Sequence, residues 1–274
     1  VKLYRTTRGI FVEEKENFYA VSTIEWDELI ASVDLHAYLH AAIKGEPVRQ
    51  FDSTTILAPV VNQEVWAAGV TYYRSRNARM EESREAGGGD FYDRVYSAER
   101  PELFFKATGS RVVGPNGAVR IRADAKWSVP EPELTLLINP AGAFVGYTIG
   151  NDMSARDIEG ENPLYLPQAK IYEGSCALGP CISLFSEPLA KSTAIRMEIM
   201  RKGKIAYAGD TTLAELKRDP NQLVEYLFHS NKFPHGVFLM SGTGIVPGDG
   251  FTLSGGDVIR ISIDQIGSLE NYVA

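Results

Sequence analysis

The chain of 274 residues is 44% hydrophobic and 23% charged with no low-complexity tract, an ordinary globular composition long enough for one sizeable core and a small appended unit. Its net charge of −7 argues against a nucleic-acid-binding surface. No apolar run reaches the length of a membrane span, and the opening stretch V-K-L-Y-R-T-T-R-G has no signal-peptide core, so a cytoplasmic protein is expected.

From the amino terminus, Val1–Tyr4, Gly9–Val12 and Phe18–Val21 read as short strands joined by charged turns, followed by helices over Ile24–Val33 and Asp34–Lys44. In the second helix Asp34 is the N-cap, Leu35, Tyr38, Leu39 and Ile43 form an apolar stripe, and Gly45 is the stop. His36 and His40 have a spacing that metals use, but no carboxylate partner is evident, and helix filler is the plainer reading. Pro47–Asn62 reads as a linker.

Val65–Val70 then reads as a buried strand, and Tyr72–Ala86 as a helix crowded with Arg and Glu that ends at Gly87, Gly88 and Gly89. Two readings stay open there: a lid that orders over a ligand, or a solvated surface helix with a loop. Pro101–Ala107 reads as a strand that puts Glu102 and Lys106 on one face. Desolvation would raise the Glu102 carboxyl towards the range useful for proton transfer, unless Lys106 bridges it as a structural ion pair.

The most informative stretch runs from Trp127 to Pro180. Glu131 and Glu133 flank Pro132, which fixes its own φ and pushes Glu131 into the extended region. Residues two apart on a strand share a face, so the two carboxylates should lie side by side at the mouth of the strand Leu134–Asn139. Like charges that close need a shared proton or a cation, and Mg²⁺ or Mn²⁺ suits a set of hard oxygen donors. Asp152, closing the apolar run Val145–Asn151, offers a third carboxylate. A pair of solvated glutamates at a strand start is the alternative. Lys170 sits in a polar segment between prolines. Cys176 and Cys181 cannot make a disulfide scaffold and lack the second pair a zinc site needs, so both are expected as buried apolar side chains.

Further on, Ile195–Met200 and Ile205–Tyr207 flank a turn with Gly203, a hairpin pattern. Asp219 as N-cap and Pro220 at the first helical position start a helix through Ser230. His229 at its end suits the helix dipole, and His235 has no identifiable partner. In L-M-S-G-T-G-I-V-P-G the small residues would let backbone approach a ligand, with Thr243 as a donor to a substrate carboxylate; a tight structural turn would use the same glycines. Asp257–Ile263 reads as the closing strand. The pattern is α+β, mostly β.

E-P-E, then N-D-M-S-A-R-D about twenty residues on, then Lys170 followed by G-P, resembles the fumarylacetoacetate hydrolase superfamily over Val65–Leu269. Within it, N-P-L-Y-L-P-Q-A-K-I-Y-E-G-S-C-A-L-G-P and R-P-E-L-F-F-K-A-T look like the 2-keto-3-deoxy-D-arabinonate dehydratases. The resemblance implies a mixed β-roll catalytic domain over residues 63–274 after a small N-terminal α+β domain over residues 1–62. It also implies Mg²⁺ on Glu131, Glu133 and Asp152, a 2-oxo sugar acid chelating that metal, and a homodimer or homotetramer.

Hydrolytic members carry a His and a Glu after G-x-N-Y to activate water; the corresponding run here has Ser75 and Ala78 in their places, which removes the base. Glu159 stands where hydrolases place an oxyanion-stabilising glutamine. A dehydratase is therefore expected, with Lys170 as base at the third carbon, Glu102 or Glu159 as acid for the departing hydroxyl, and Arg156, Thr243 and Lys106 binding substrate. Lys170 has the alternative role of a charged donor to a substrate oxygen. Oxaloacetate-type decarboxylation, acylpyruvate hydrolysis and non-catalytic binding stay open as other readings.

Overall fold

The strand Pro132–Ile138 is buried at every position and is the spine of the larger sheet. Pro132 opens it, the position at which a missing ladder donor does least harm. Alternation sends Leu134, Leu136 and Ile138 to one face and Glu133, Thr135 and Leu137 to the other. The computed structural model from which this architecture is read describes residues 1–21, 24–43, 46–73, 94–185 and 187–274.

Antiparallel neighbours flank the spine: Phe144–Asp152 on one side and Val237–Met240 on the other. Beyond Phe144–Asp152 the sheet continues through Cys176–Ser183, Lys2–Thr6, Gly9–Glu14 and Asn17–Val21; beyond Val237–Met240 it continues through Glu64–Gly69 and Glu102–Thr108. A smaller sheet orders Lys204–Thr212, Ala194–Arg201, Val258–Ile263, Gly267–Val273 and Ala118–Val119. Leu134, Leu136, Ile138 and Ile149 of the large sheet pack with Ile195, Met197, Ile199, Ile259 and Ile261 of the small one. On the opposite face, Leu137, Leu178, Phe238 and Met240 join Trp26, Leu29, Leu35 and Leu39 of the helices Trp26–Ile30 and Leu35–Ala42. The first sixty-two residues thus meet the rest through paired strands, Lys2 opposite Ser183 and Leu3 opposite Ile182, and through a shared apolar cluster.

Local expectations hold where short-range chemistry decides. Asp34 accepts from the Ala37 amide at 2.9 Å, and Asp219 from the Asn221 amide at 2.9 Å at the start of Pro220–Phe228. Lys202 and Gly203, both at positive φ (50° and 75°), make the two-residue turn of the hairpin Ala194–Arg201/Lys204–Thr212. Both cysteines are free and buried, and burial pushes their thiols up to about 12 for Cys176 and about 11 for Cys181. The exposed His40 meets Glu14 at 3.4 Å, a carboxylate partner that lies on a different element and so escapes helical spacing.

The final strand is a correction. The sheet does not close at Ile263: Gly267–Val273 pairs antiparallel with Val258–Ile263. Its inward positions are Leu269, Asn271 and Val273, and a buried Asn beside a half-exposed Tyr272 obscures the period-two pattern. The charged helix Tyr72–Ala86, its triple glycine, Gly45, and Ser75 and Ala78 fall wholly or largely outside the described residues. Among the described residues no helix is long and apolar enough to cross a membrane.

Candidate active site

Glu131 and Asp152 meet across the antiparallel pair, each amide donating to the other's carbonyl, at 3.2 Å from Glu131 and 3.0 Å from Asp152. Two residues along, Glu133 lies opposite Gly150. All three carboxylates therefore project from one face of two adjacent strands, and Gly150 leaves no room for a Cβ beside the Thr135 hydroxyl and Met240. Each is buried, and one oxygen from each lies within 4.8 Å of the others. Burial first, then the charges of Asp152 and Glu131, pushes the Glu133 carboxyl well above its ordinary range; Lys170 and the Gly242 amide, 2.6 Å from Glu133 Oε2, pull the other way without prevailing. Three desolvated carboxylates offering hard oxygens fit a hard divalent cation.

Cationic side chains close the arrangement. Lys170 ends the short helix Leu166–Lys170, which carries Pro167 in its first turn, and its ammonium donates to Glu131 Oε2 (2.6 Å), Asp152 Oδ2 (2.9 Å) and the Ser154 hydroxyl (2.6 Å). Glu159 Oε1 is 4.0 Å away, and the Phe104 ring centroid 5.8 Å. Arg156, buried on the helix Arg156–Glu161, donates from Nη2 to Glu131 Oε1 at 2.5 Å. Lys106 is wholly buried and forms an ion pair with Asp152 Oδ1 at 2.5 Å rather than bridging Glu102.

A small pocket opens on this group, lined by the three carboxylates, Arg156 and Lys170 together with Ala68, Gly69, Val70, Phe104, Gly242 and Thr243. Glu102 stands at its edge, so close to Gly69 that any side chain there would collide with the carboxylate. Glu159 is buried on the helix Arg156–Glu161. Thr243 reaches the pocket wall, with its hydroxyl donating to the Ile245 carbonyl at 3.1 Å. Gly242 has φ +92° and no room for a Cβ beside the Thr71 hydroxyl, which explains a glycine at that point of the loop.

Three features escaped the sequence reading. Ser154 receives the Lys170 ammonium; its position two after Asp152 was the available signal. The Gly242 amide holds Glu133, and backbone donors leave no residue-type signature. Val70, a pocket-lining β-branched residue, has φ 53°, a conformation that costs of order 1–3 kcal/mol and persists only where surroundings enforce it.

The family model "Fumarylacetoacetate (FAA) hydrolase C-terminal" matches residues 71–274. A probable 2-keto-3-deoxyxylonate dehydratase of Haloferax volcanii is 46% identical over 217 residues, covering 78% of this chain and 73% of that protein. The 2-dehydro-3-deoxy-D-arabinonate dehydratase of Saccharolobus solfataricus is 41% identical over 222 residues, covering 80% and 74%. Among solved structures, 2-keto-3-deoxy-D-arabinonate dehydratase complexed with magnesium and 2,5-dioxopentanoate superimposes with a TM-score of 0.84 at 32% identity, over 100% of this chain and 98% of that one. With the matched region spanning both the carboxylate strands and the Lys170 helix, the chain belongs to the fumarylacetoacetate hydrolase family.

Proposed function

We propose that the protein is a hydro-lyase that dehydrates a 2-keto-3-deoxy pentonate, of the 2-keto-3-deoxy-D-arabinonate type, to 2,5-dioxopentanoate with Mg²⁺ as cofactor. The observation that carries this reading is the buried Glu131–Glu133–Asp152 group with Lys170 seated against two of its members. Support comes from the two dehydratase relatives and from the related structure holding magnesium and the product.

Glu131, Glu133 and Asp152 would hold the Mg²⁺, whose Lewis acidity makes the hydrogen beside the ketone of a 2-oxo acid more acidic. Lys170 takes that proton from the third carbon when its amine is neutral. A cation on Glu131 and Asp152 would compete with the Lys170 ammonium for the same carboxylates. Glu102 at the pocket edge, or Glu159 beside Lys170, gives a proton to the hydroxyl on the fourth carbon, which departs as water. Elimination leaves an unsaturated ketone with its hydroxyl on the fifth carbon. Loss of a proton from the fifth carbon and gain of one at the third give the enol of the aldehyde, which tautomerises to the dioxo acid. Arg156 fixes Glu131 and lends positive charge to an anionic substrate. Thr243 borders the space the substrate would fill.

The same reading includes a role in pentose catabolism and a homodimer or homotetramer, both carried over from the resemblance, together with the cytoplasmic location expected from the sequence; sedimentation of the purified chain measures the assembly. Incubation with 3-deoxy-2-oxo pentonates, oxaloacetate and acylpyruvates, each with Mg²⁺ or with EDTA, tests the activity. Dehydration of the pentonate alone, abolished by EDTA, is expected. Turnover of one of the other two acids in its place would replace the reading, and inertness towards all three would favour a binding protein.

A further inference from the structure

Lys106 offers, from sequence, a cation for substrate or a partner for Glu102. Its surroundings give it other work. The side chain is fully buried; its ammonium donates to the Lys170 carbonyl at 2.5 Å and the Met153 carbonyl at 3.1 Å and forms an ion pair with Asp152 Oδ1 at 2.5 Å. Two of its N–H donors go to carbonyls and its charge is matched by Asp152, so this fully buried ammonium is committed to the protein rather than to a ligand. Asp152 and Lys170 line the pocket, whereas Lys106 is not among its walls. The strand is built to aim this residue: the register with Glu64–Gly69 slips between Val65, opposite Ala107, and Trp66, opposite Phe105, leaving Lys106 as the extra residue of a bulge.

From this geometry we infer that Lys106 is a positioning residue that locks Asp152 and Lys170 to one another, so that one buried ammonium sets both a metal ligand and the base. The inference rests on the proposed function for the roles of those two residues. Asp152 is held through one oxygen by Lys106, and its other oxygen is 2.9 Å from the Lys170 ammonium. The Lys170 carbonyl has a second clamp in the Ser175 hydroxyl at 2.9 Å, which fixes the end of the helix from which the Lys170 side chain projects. Without Lys106 the Asp152 carboxylate would keep its burial and lose one of its two ion-pair partners, and the oxygen that faces Lys106 would no longer be fixed.

The test is a Mg²⁺ titration by calorimetry on EDTA-stripped wild type and on Lys106→Met, followed by steady-state kinetics at saturating Mg²⁺. The variant is expected to bind Mg²⁺ about 10- to 100-fold more weakly, as loss of an outer partner of a metal ligand does. Its kcat should fall, while KM for the sugar acid stays within about threefold. An unchanged Mg²⁺ affinity with a raised KM would overturn the inference and make Lys106 a substrate contact. Should Lys106→Met not fold, the ¹⁵N signal of the Lys106 ammonium in the wild type decides. Protons shielded from exchange, with a shift that moves on adding Mg²⁺, support the lock; rapid exchange with water refutes it. Wild type that binds Mg²⁺ in a Lys106-dependent way yet dehydrates no pentonate would sink the proposed function alone, and wild type that binds no Mg²⁺ would sink both.

Discussion

Glu131 and Asp152 are directly opposed residues of two antiparallel strands, joined by reciprocal amide-to-carbonyl bonds of 3.2 and 3.0 Å. The backbone ladder thereby forces two carboxylates onto one face at neighbouring positions, and Glu133 follows two residues later on the same face. Such a site is held together by strand register and opposed by its own charge. Its behaviour towards cations, protons and substitutions follows from that tension.

Lys170→Ala removes the proposed base and one positive charge beside Glu131 and Asp152. Turnover should fall about 10²- to 10⁴-fold, the usual worth of a positioned acid–base group. Mg²⁺ affinity should be equal or tighter, because a competing cation has gone. Calorimetry and a dehydration assay on the same preparation check both, and a fully active variant would remove Lys170 from the mechanism.

Glu133 should couple metal binding to protons. Its carboxyl, raised by burial and by its two acidic neighbours, retains a proton above the ordinary carboxyl range, and Mg²⁺ takes the deprotonated form. Mg²⁺ affinity should therefore rise with pH, with proton release on binding below the raised value. Titrations in two buffers of different ionisation enthalpy measure that release; identical heats in both would contradict it. A raised folded value also means that the metal-free protein loses stability as pH climbs from the ordinary carboxyl range through the folded one.

Glu133→Gln should separate stability from function. At pH 8 the metal-free variant should be more stable than the metal-free wild type by about 1 kcal/mol, since one of three crowded charges is gone. It should also lose the Mg²⁺-dependent rise in Tm. Thermal melts of both proteins with and without Mg²⁺ read this directly, and a less stable metal-free variant would count against charge crowding at the site.

Remote from the pocket, Asp257 serves as a control. Burial raises its carboxyl, but Arg201, bonded to both oxygens at 2.8 and 2.7 Å, and the Ser254 amide prevail and hold it below the usual range. Arg201 is partly solvent-exposed, so Arg201→Met should cost only about 1 kcal/mol at neutral pH. A depressed folded value gives stability that is present above the unfolded carboxyl range and lost as pH falls through the folded one. The gap between wild type and variant in chemical denaturation should close in acid, without change in Mg²⁺ affinity.

The site was legible where one residue's chemistry or a spacing of two carried it. Glu131 and Glu133 around Pro132, Asp152 at the end of its apolar run, and the caps Asp34 and Asp219 all follow from rules that span a few residues. The resemblance supplied the joining of distant pieces, notably Lys170 to the carboxylates. What stayed hidden depends on contacts far apart in sequence. The Gly242 amide reaches Glu133 across 109 positions, and Lys106 reaches the Lys170 carbonyl across 64. Gly267–Val273 stayed hidden for a different reason, because a buried Asn271 breaks the hydrophobic alternation on which strand reading depends.

The claim beneath all of this is that Glu131, Glu133 and Asp152 together hold one divalent cation. Anomalous diffraction from crystals equilibrated with Mn²⁺ tests it most directly. The account predicts a single strong anomalous peak within coordination distance of a carboxylate oxygen from each of the three residues. A peak bound elsewhere, with these side chains still paired only to Lys170, Arg156 and Lys106, would contradict it.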